Sequence, residues 1–213
     1  MKSRQNSPHP SVLKIAAAQV ASIRGEIDAN IRTHAAAIEA AALHEVSVLV
    51  FPELSLTGYE PDLAAELAML PTDRRLEPLR MLALHHRMKV IVGAPLQNGE
   101  AKPALGAIVI NTDGCTTSYR KMHLGTPERA NFASGDRPLA FTVAGHTVGL
   151  AICADSSQPS HPGAYAALGA DIYAVGVFLN ADWYATDVPR LMRYAAEFRM
   201  LTLMANHADS VGT

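Results

Sequence analysis

Short apolar runs alternate along the chain with segments whose apolar residues recur every three or four positions. Val12 to Val20 reads as a first strand. Ile27, Ile31, Ala35, Ile38 and Ala42 fall at helical spacing, so Glu26 to His44 is predicted as a helix with one apolar stripe. Val46 to Phe51 is apolar on both parities, the pattern of a strand covered on both faces. Glu77 to Arg87 is predicted helical, with Pro78 in its first turn, and Lys89 to Pro95 is a further buried strand. Leu105–Asn111 and Cys115–Arg120 flank an Asn-Thr-Asp-Gly turn and predict a hairpin. Leu139–Val143 and Thr147–Cys153 flank Ala-Gly-His and predict another. A short helix over Ala164–Leu168 and a buried strand over Asp171–Phe178 follow. Asp187 is placed to cap a helix with Pro189 in its first turn and Leu191, Tyr194, Ala195 and Phe198 on one face. Leu201–Ala205 reads as the last strand. Mixed βα units and hairpins predict an α/β layered fold with two sheets and helices outside, not a simple doubly wound sheet.

Composition narrows the function. The 213 residues are 49% hydrophobic and 18% charged, which suits one well-buried core and excludes a disordered or coiled-coil chain. No stretch approaches the roughly 20 apolar residues of a membrane span. A net charge of −2 argues against a nucleic-acid footprint. Two cysteines, Cys115 and Cys153, make neither a disulfide framework nor a paired-cysteine metal site. Residues 1–10 are polar and lack the apolar segment of a secretion signal, so they read as a disordered leader. Residues 11–213 read as one domain, in a cytoplasmic compartment where a lone cysteine stays a thiol.

In α/β sheets, ligands collect beyond the carboxyl ends of strands. Three reactive side chains are predicted there. Glu53 follows the Val46–Phe51 run, Lys121 follows the strand ending at Arg120, and Cys153 ends the run Val148–Ile152. A carboxylate, an amine and a thiol so placed form a possible nucleophile constellation. Taken singly, the cysteine also reads as a small buried hydrophobe, and the two charges as solvated rim groups.

The surrounding segments change the weighting. Phe51-Pro-Glu-Leu-Ser-Leu-Thr-Gly-Tyr59, Tyr119-Arg-Lys-Met-His-Leu124 and Gly149-Leu-Ala-Ile-Cys-Ala-Asp155 resemble the three motifs of the nitrilase, or carbon–nitrogen hydrolase, superfamily, in that family's order. The resemblance runs from Lys14 and Gln19 to Ala205-Asn206. It implies a four-layer αββα sandwich and a Glu-Lys-Cys triad at Glu53, Lys121 and Cys153. Glu128, in Pro127-Glu-Arg-Ala-Asn-Phe-Ala-Ser-Gly135, matches the family's supporting glutamate. The resemblance further implies hydrolysis of a small amide, with Cys153 as thiol nucleophile and Glu53 as general base; the alternatives are a nitrilase or N-carbamoyl amidohydrolase with the same triad, or a catalytically inactive truncated member acting as a binding module. Lys121 would favour the thiolate and, with the N–H of Ala154, stabilise the oxyanion.

Other residues carry weaker signals. Tyr59, Phe132 and Trp183 are read as pocket walls, and Asp155 as structural support for the turn after Cys153. His123 reads as structural and Cys115 as inert. The nine histidines show no metal-ligand spacing, and no phosphate-binding glycine loop occurs, so neither metal nor cofactor is expected. The expected partner is a small-molecule amide, with no nucleic acid and no membrane. Two features depart from the family. Ser156–Pro162 lacks the arginine that many members carry near this point, which disfavours N-carbamoyl amino acids. The chain also ends soon after Ala205-Asn206, where members usually continue through another hairpin. An open sheet edge there predicts a homodimer or higher oligomer.

Overall fold

The computed structural model describes residues 12–208, and the predicted leader at 1–10 lies outside them. The first half holds β1 (Ile15–Ala17), α1 (Ile27–Ala42), β2 (Val48–Val50), the short α2 (Ala64–Leu67), α3 (Glu77–His86), β3 (Lys89–Leu96), β4 (Ala104–Ile110) and β5 (Thr116–Arg120). The second half holds β6 (Ala140–Val143), β7 (His146–Ile152), α4 (Ser160–Ala167), β8 (Ile172–Gly176), α5 (Ala181–Phe198) and β9 (Leu201–Ala205).

The strands form two mixed sheets. One has the order β1-β2-β3-β4-β5 and the other β6-β7-β8-β9. In the first, β1, β2 and β3 run parallel, and β3, β4 and β5 antiparallel. In the second, β6 and β7 are antiparallel and β7, β8 and β9 parallel. Period-two alternation assigns each strand residue to a layer. Leu49, Val90 and Val92 face α1 and α3, whereas Val48, Val50 and Ile91 face the other sheet. Val148, Leu150 and Ile152 meet them from β7, while Tyr173 and Val175 of β8 pack outward against α4 and α5. Three apolar layers between four layers of elements make an αββα sandwich, as expected.

Both predicted hairpins form, with Ile108 opposite Ser118 in β4–β5 and Phe141 opposite Val148 in β6–β7. One helix differs from its sequence reading. α5 starts six residues before Asp187, with Asn180 as its cap, accepting from the Trp183 N–H at 2.9 Å. Asp187 is instead buried and ion-paired with Arg190 at 2.9 Å, and Pro189 lies inside the helix. Pro-based reasoning placed the start too late because the cap three residues before Trp183 outranks it. The short helix predicted over Ala164–Leu168 likewise begins earlier, at Ser160. No helix of the described residues is long and apolar enough to cross a membrane.

Candidate active site

Glu53, Lys121 and Cys153 converge between the sheets at the carboxyl ends of β2, β5 and β7. Lys121 is fully buried, with Nζ 2.7 Å from Glu53 Oε1 and 2.7 and 2.9 Å from the two oxygens of Glu128. Glu128 comes from a 3-10 turn over Thr126–Ala130. It also accepts the Tyr59 O–H at 2.8 Å and the Gly125 N–H at 2.7 Å. All its oxygens are engaged, so it is a fixed counter-charge.

Glu53 is different. Its Oε1 takes the Lys121 ammonium, but Oε2 is sealed from solvent without a partner of strict hydrogen-bond geometry. The Cys153 thiol is close enough to the Glu53 carboxylate to act as a hydrogen-bonding neighbour. Burial pushes the Glu53 pKa up to about 7; Lys121 opposes this and Glu128 adds to it. Two carboxylates in one site thus acquire two roles: one saturated, one free and poised to take a proton near neutrality.

Cys153 occupies the first residue of a 3-10 turn, Cys153–Ser157, at φ 41°. Non-glycine residues rarely adopt this conformation, and holding one there is strain of the kind found at nucleophile turns. The thiol pKa is raised, by burial first and by the Glu53 charge second, against the Lys121 charge and a hydrogen bond from the Phe178 backbone. The lysine does favour the thiolate, as expected, but it is outweighed. The resting group is therefore a neutral thiol beside a base, not a preformed thiolate. Burial pulls Lys121 down, yet Glu53, Cys153 and Glu128 together raise its pKa, so it stays an ammonium.

The remaining sequence candidates divide. Tyr59 is half-buried, stacks on Phe178 at 4.1 Å and holds Glu128. Burial and the two glutamates raise its pKa, so it remains a phenol and a donor. Ala154 lines a cleft of about 440 Å³ with Met122, His123, Ser134, Ser157 and Gln158. Phe132 is buried in the layer between the sheets, where it packs. Trp183 stands on the first turn of α5, 61% exposed. Cys115 is exposed on the β4–β5 turn. Among the described residues no group of three or more His, Cys, Asp or Glu is arranged to hold a metal ion.

Comparison with known proteins settles the family. A sequence model described as carbon-nitrogen hydrolase matches residues 14–209. The chain belongs to the carbon–nitrogen hydrolase family. It is 29% identical over 201 residues to an (R)-stereoselective amidase from Pseudomonas sp., covering 93% of this chain and 72% of that protein. It is 30% identical over 189 residues to a glutamine-dependent NAD(+) synthetase from Thermotoga maritima, covering 85% of this chain and 32% of that protein. The crystal structure of an amidase from Nesterenkonia sp. superposes with a TM-score of 0.84 at 25% identity, covering 96% of this chain and 80% of the other. A mutant of that amidase carries the acetamide moiety of fluoroacetamide on its active-site cysteine.

Three contacts of this hydrolase escaped sequence reading. Phe178 supplies the backbone that touches Cys153 and the ring that stacks on Tyr59. His207 donates from Nε2 to the Glu53 carbonyl at 2.8 Å. Both stand just past strands of the second sheet, so the strand-end rule that selected Glu53 and Lys121 points to them as well. His161 lies behind the Cys153 turn, and no spacing singled it out.

Proposed function

We propose that this hydrolase is an amidase that converts a small, mostly neutral amide to the acid and ammonia through a thioester on Cys153. The observation that carries the reading is the contrast between Glu53, with a free buried oxygen, and Glu128, with none. Glu53 takes the Cys153 proton as Sγ attacks the amide carbon. Lys121 Nζ and the Ala154 N–H receive the developing oxyanion; one such donor is worth roughly 3–4 kcal/mol. The N–H of Ala154 lies in the first turn of its 3-10 segment, where such groups lack an intrahelical partner. Glu53 then returns its proton to the leaving nitrogen, the C–N bond breaks and ammonia departs. Water attacks the thioester, Glu53 accepts its proton, the C–S bond breaks, and the sulfur recovers the proton. Tyr59 stacks on Phe178, whose backbone hydrogen-bonds Cys153.

The test is ammonia release from a panel of small amides, nitriles and ureido compounds, with Cys153→Ala protein as the blank. Release from amides by wild type alone supports the reading. Release only from nitriles or ureido compounds changes the substrate class. Release that persists in Cys153→Ala removes the thiol from the mechanism.

A further inference from the structure

We infer that His161, on α4 and outside the catalytic set, is a positioning residue for the nucleophile, acting through Tyr119 and Asp155. The inference rests on the reading of Cys153 as nucleophile.

Asp155 is the hub. Its Oδ1 accepts the N–H groups of Met122 at 3.1 Å and His123 at 2.8 Å, the two residues after Lys121. Its Oδ2 accepts the N–H of Ile152 at 3.0 Å, the residue before Cys153. A single buried carboxylate therefore ties the lysine segment of one sheet to the cysteine turn of the other. The separation of Lys121 from Cys153 is set through it. Tyr119, two residues before Lys121, donates its O–H to the same Oδ2 at 2.7 Å.

The Tyr119 oxygen has then spent its only proton. Toward His161 Nε2, 2.9 Å away, it can only accept, so Nε2 carries the hydrogen. In the neutral ring, Nδ1 accepts from the Tyr173 O–H, also at 2.9 Å. Donors and acceptors run in one direction: Tyr173 to His161, His161 to Tyr119, Tyr119 to Asp155. Burial lowers the His161 pKa against the opposing charge of Asp155 and favours this neutral form. The chain reaches from β8 and α4 through the second sheet to β5. His161 and Tyr173 are buried, and the ring of His161 also packs edge-on against Tyr165 and His123. A fully satisfied network of this kind fixes one geometry, whereas a partly satisfied one does not. Loss of His161 frees the Tyr119 hydroxyl to turn away from Asp155, and the hub relaxes on both motifs at once.

The experiment compares His161→Leu, His161→Gln and Tyr119→Phe with wild type. It measures kcat and KM for the best amide, the rate of Cys153 labelling by iodoacetamide against Cys115 in the same chain, and Tm. His161→Leu and Tyr119→Phe are expected to lower kcat and Cys153 labelling together by about 10- to 100-fold, the effect of roughly 1 Å of misplacement, with KM little changed. Cys115 labelling should stay constant. Gln at 161 can donate to Tyr119 and accept from Tyr173, so His161→Gln should recover most of both rates. Folded His161→Leu and Tyr119→Phe proteins with wild-type kcat and labelling overturn the inference. So does a loss that tracks Tm alone and is not relieved by Gln. If His161→Leu fails to fold, Tyr119→Phe decides, because it removes one oxygen and keeps the ring. Wild type that neither releases ammonia nor labels Cys153 faster than Cys115 refutes the nucleophile itself; an active wild type with unimpaired variants refutes only the role of His161.

Discussion

Glu53 and Cys153 each leave a sheet strand through a turn with a non-glycine residue at positive φ: Leu54 at 52° in one, Cys153 itself at 41° in the other. Each turn has a buried histidine behind it. His34 of α1 stacks on Phe51 at 4.1 Å, donates from Nδ1 to the Asn30 carbonyl at 2.7 Å and accepts the Ser55 O–H at Nε2, 2.9 Å away. His161 serves the cysteine turn through Tyr119. The wiring differs in charge. Neutral groups, namely Asn30, His34 and Ser55, brace the glutamate turn, whereas the carboxylate of Asp155 braces the cysteine turn. The difference has a physical reason. The charges acting on Glu53 are those of Lys121 and Glu128. A further anion in its bracing would lift its pKa beyond the range in which a base works at neutral pH. Asp155 sits among four donors and serves by accepting hydrogen bonds, so its charge is an asset where it stands.

The largest expected effect removes the base. Glu53→Gln should lower kcat/KM roughly 10²- to 10⁴-fold while the fold persists. Wild type supplies the matching pH test. In the proposed mechanism the working form of Glu53 is the carboxylate, which prevails above its pKa, pushed up to about 7. Because Glu53 and Cys153 share a proton, the step belongs to the pair. kcat/KM should therefore fall tenfold per pH unit below about 7 and level off above it. An acid limb near the ordinary carboxylate value of 4.5 would show that neutral bracing does not tune Glu53.

The next effect tests how tightly the glutamate turn is housed. A Cβ on Gly93 of β3 would lie 2.3 Å from the Leu54 nitrogen and 2.5 Å from the Pro52 carbonyl oxygen, both backbone atoms. Gly93→Ala must push the turn, at a cost of about 1–3 kcal/mol in stability. The displacement should lower kcat/KM about 10²-fold and leave KM less affected. Steady-state kinetics beside a denaturant melt checks both. A folded Gly93→Ala protein with full activity would mean that the turn tolerates movement.

Much of this was legible before any coordinates. The Val46–Phe51 and Val148–Ile152 runs placed Glu53 and Cys153 at strand ends because buried strands announce themselves by unbroken apolar character. Three motifs in order then connected them with Lys121, and the Pro127–Gly135 segment added Glu128. The bracing was not legible. His34 lies between Ile31 and Ile38 on the apolar stripe of α1, where periodicity registers only an inward position. Its partner Ser55 is 21 residues away, and the pairing exists only after β2 docks beside α1. His161 is still further from Tyr119, at 42 residues. Trp183 shows a different limit of sequence reading. It stands in a segment after a strand, but the Asn180 cap winds that segment into helix and turns the ring outward. Long-range polar pairing leaves no periodic trace, and a cap signal can overrule a strand-end expectation.

The smallest effect separates the two kinds of bracing. Ser55→Ala removes the hydroxyl that donates to His34 Nε2 and accepts the Gly93 N–H at 3.1 Å. Two buried polar groups lose their partner, which costs about 1–3 kcal/mol. In a chain of this size that lowers Tm by about 2–12 °C, read by thermal melting. His34 does not charge in response, since burial has already pushed its pKa down to about 4. No charge near Glu53 changes, so the acid limb should stay near 7 and kcat/KM should fall less than about tenfold at temperatures well below the melt. The same perturbation on the cysteine side reaches an anion that touches both catalytic segments, and there rate should fall with little change in KM. A Ser55→Ala protein whose acid limb moves by a full unit would show that neutral bracing sets the pKa of the base as directly as charge does, and the two turns would then be wired to the same end.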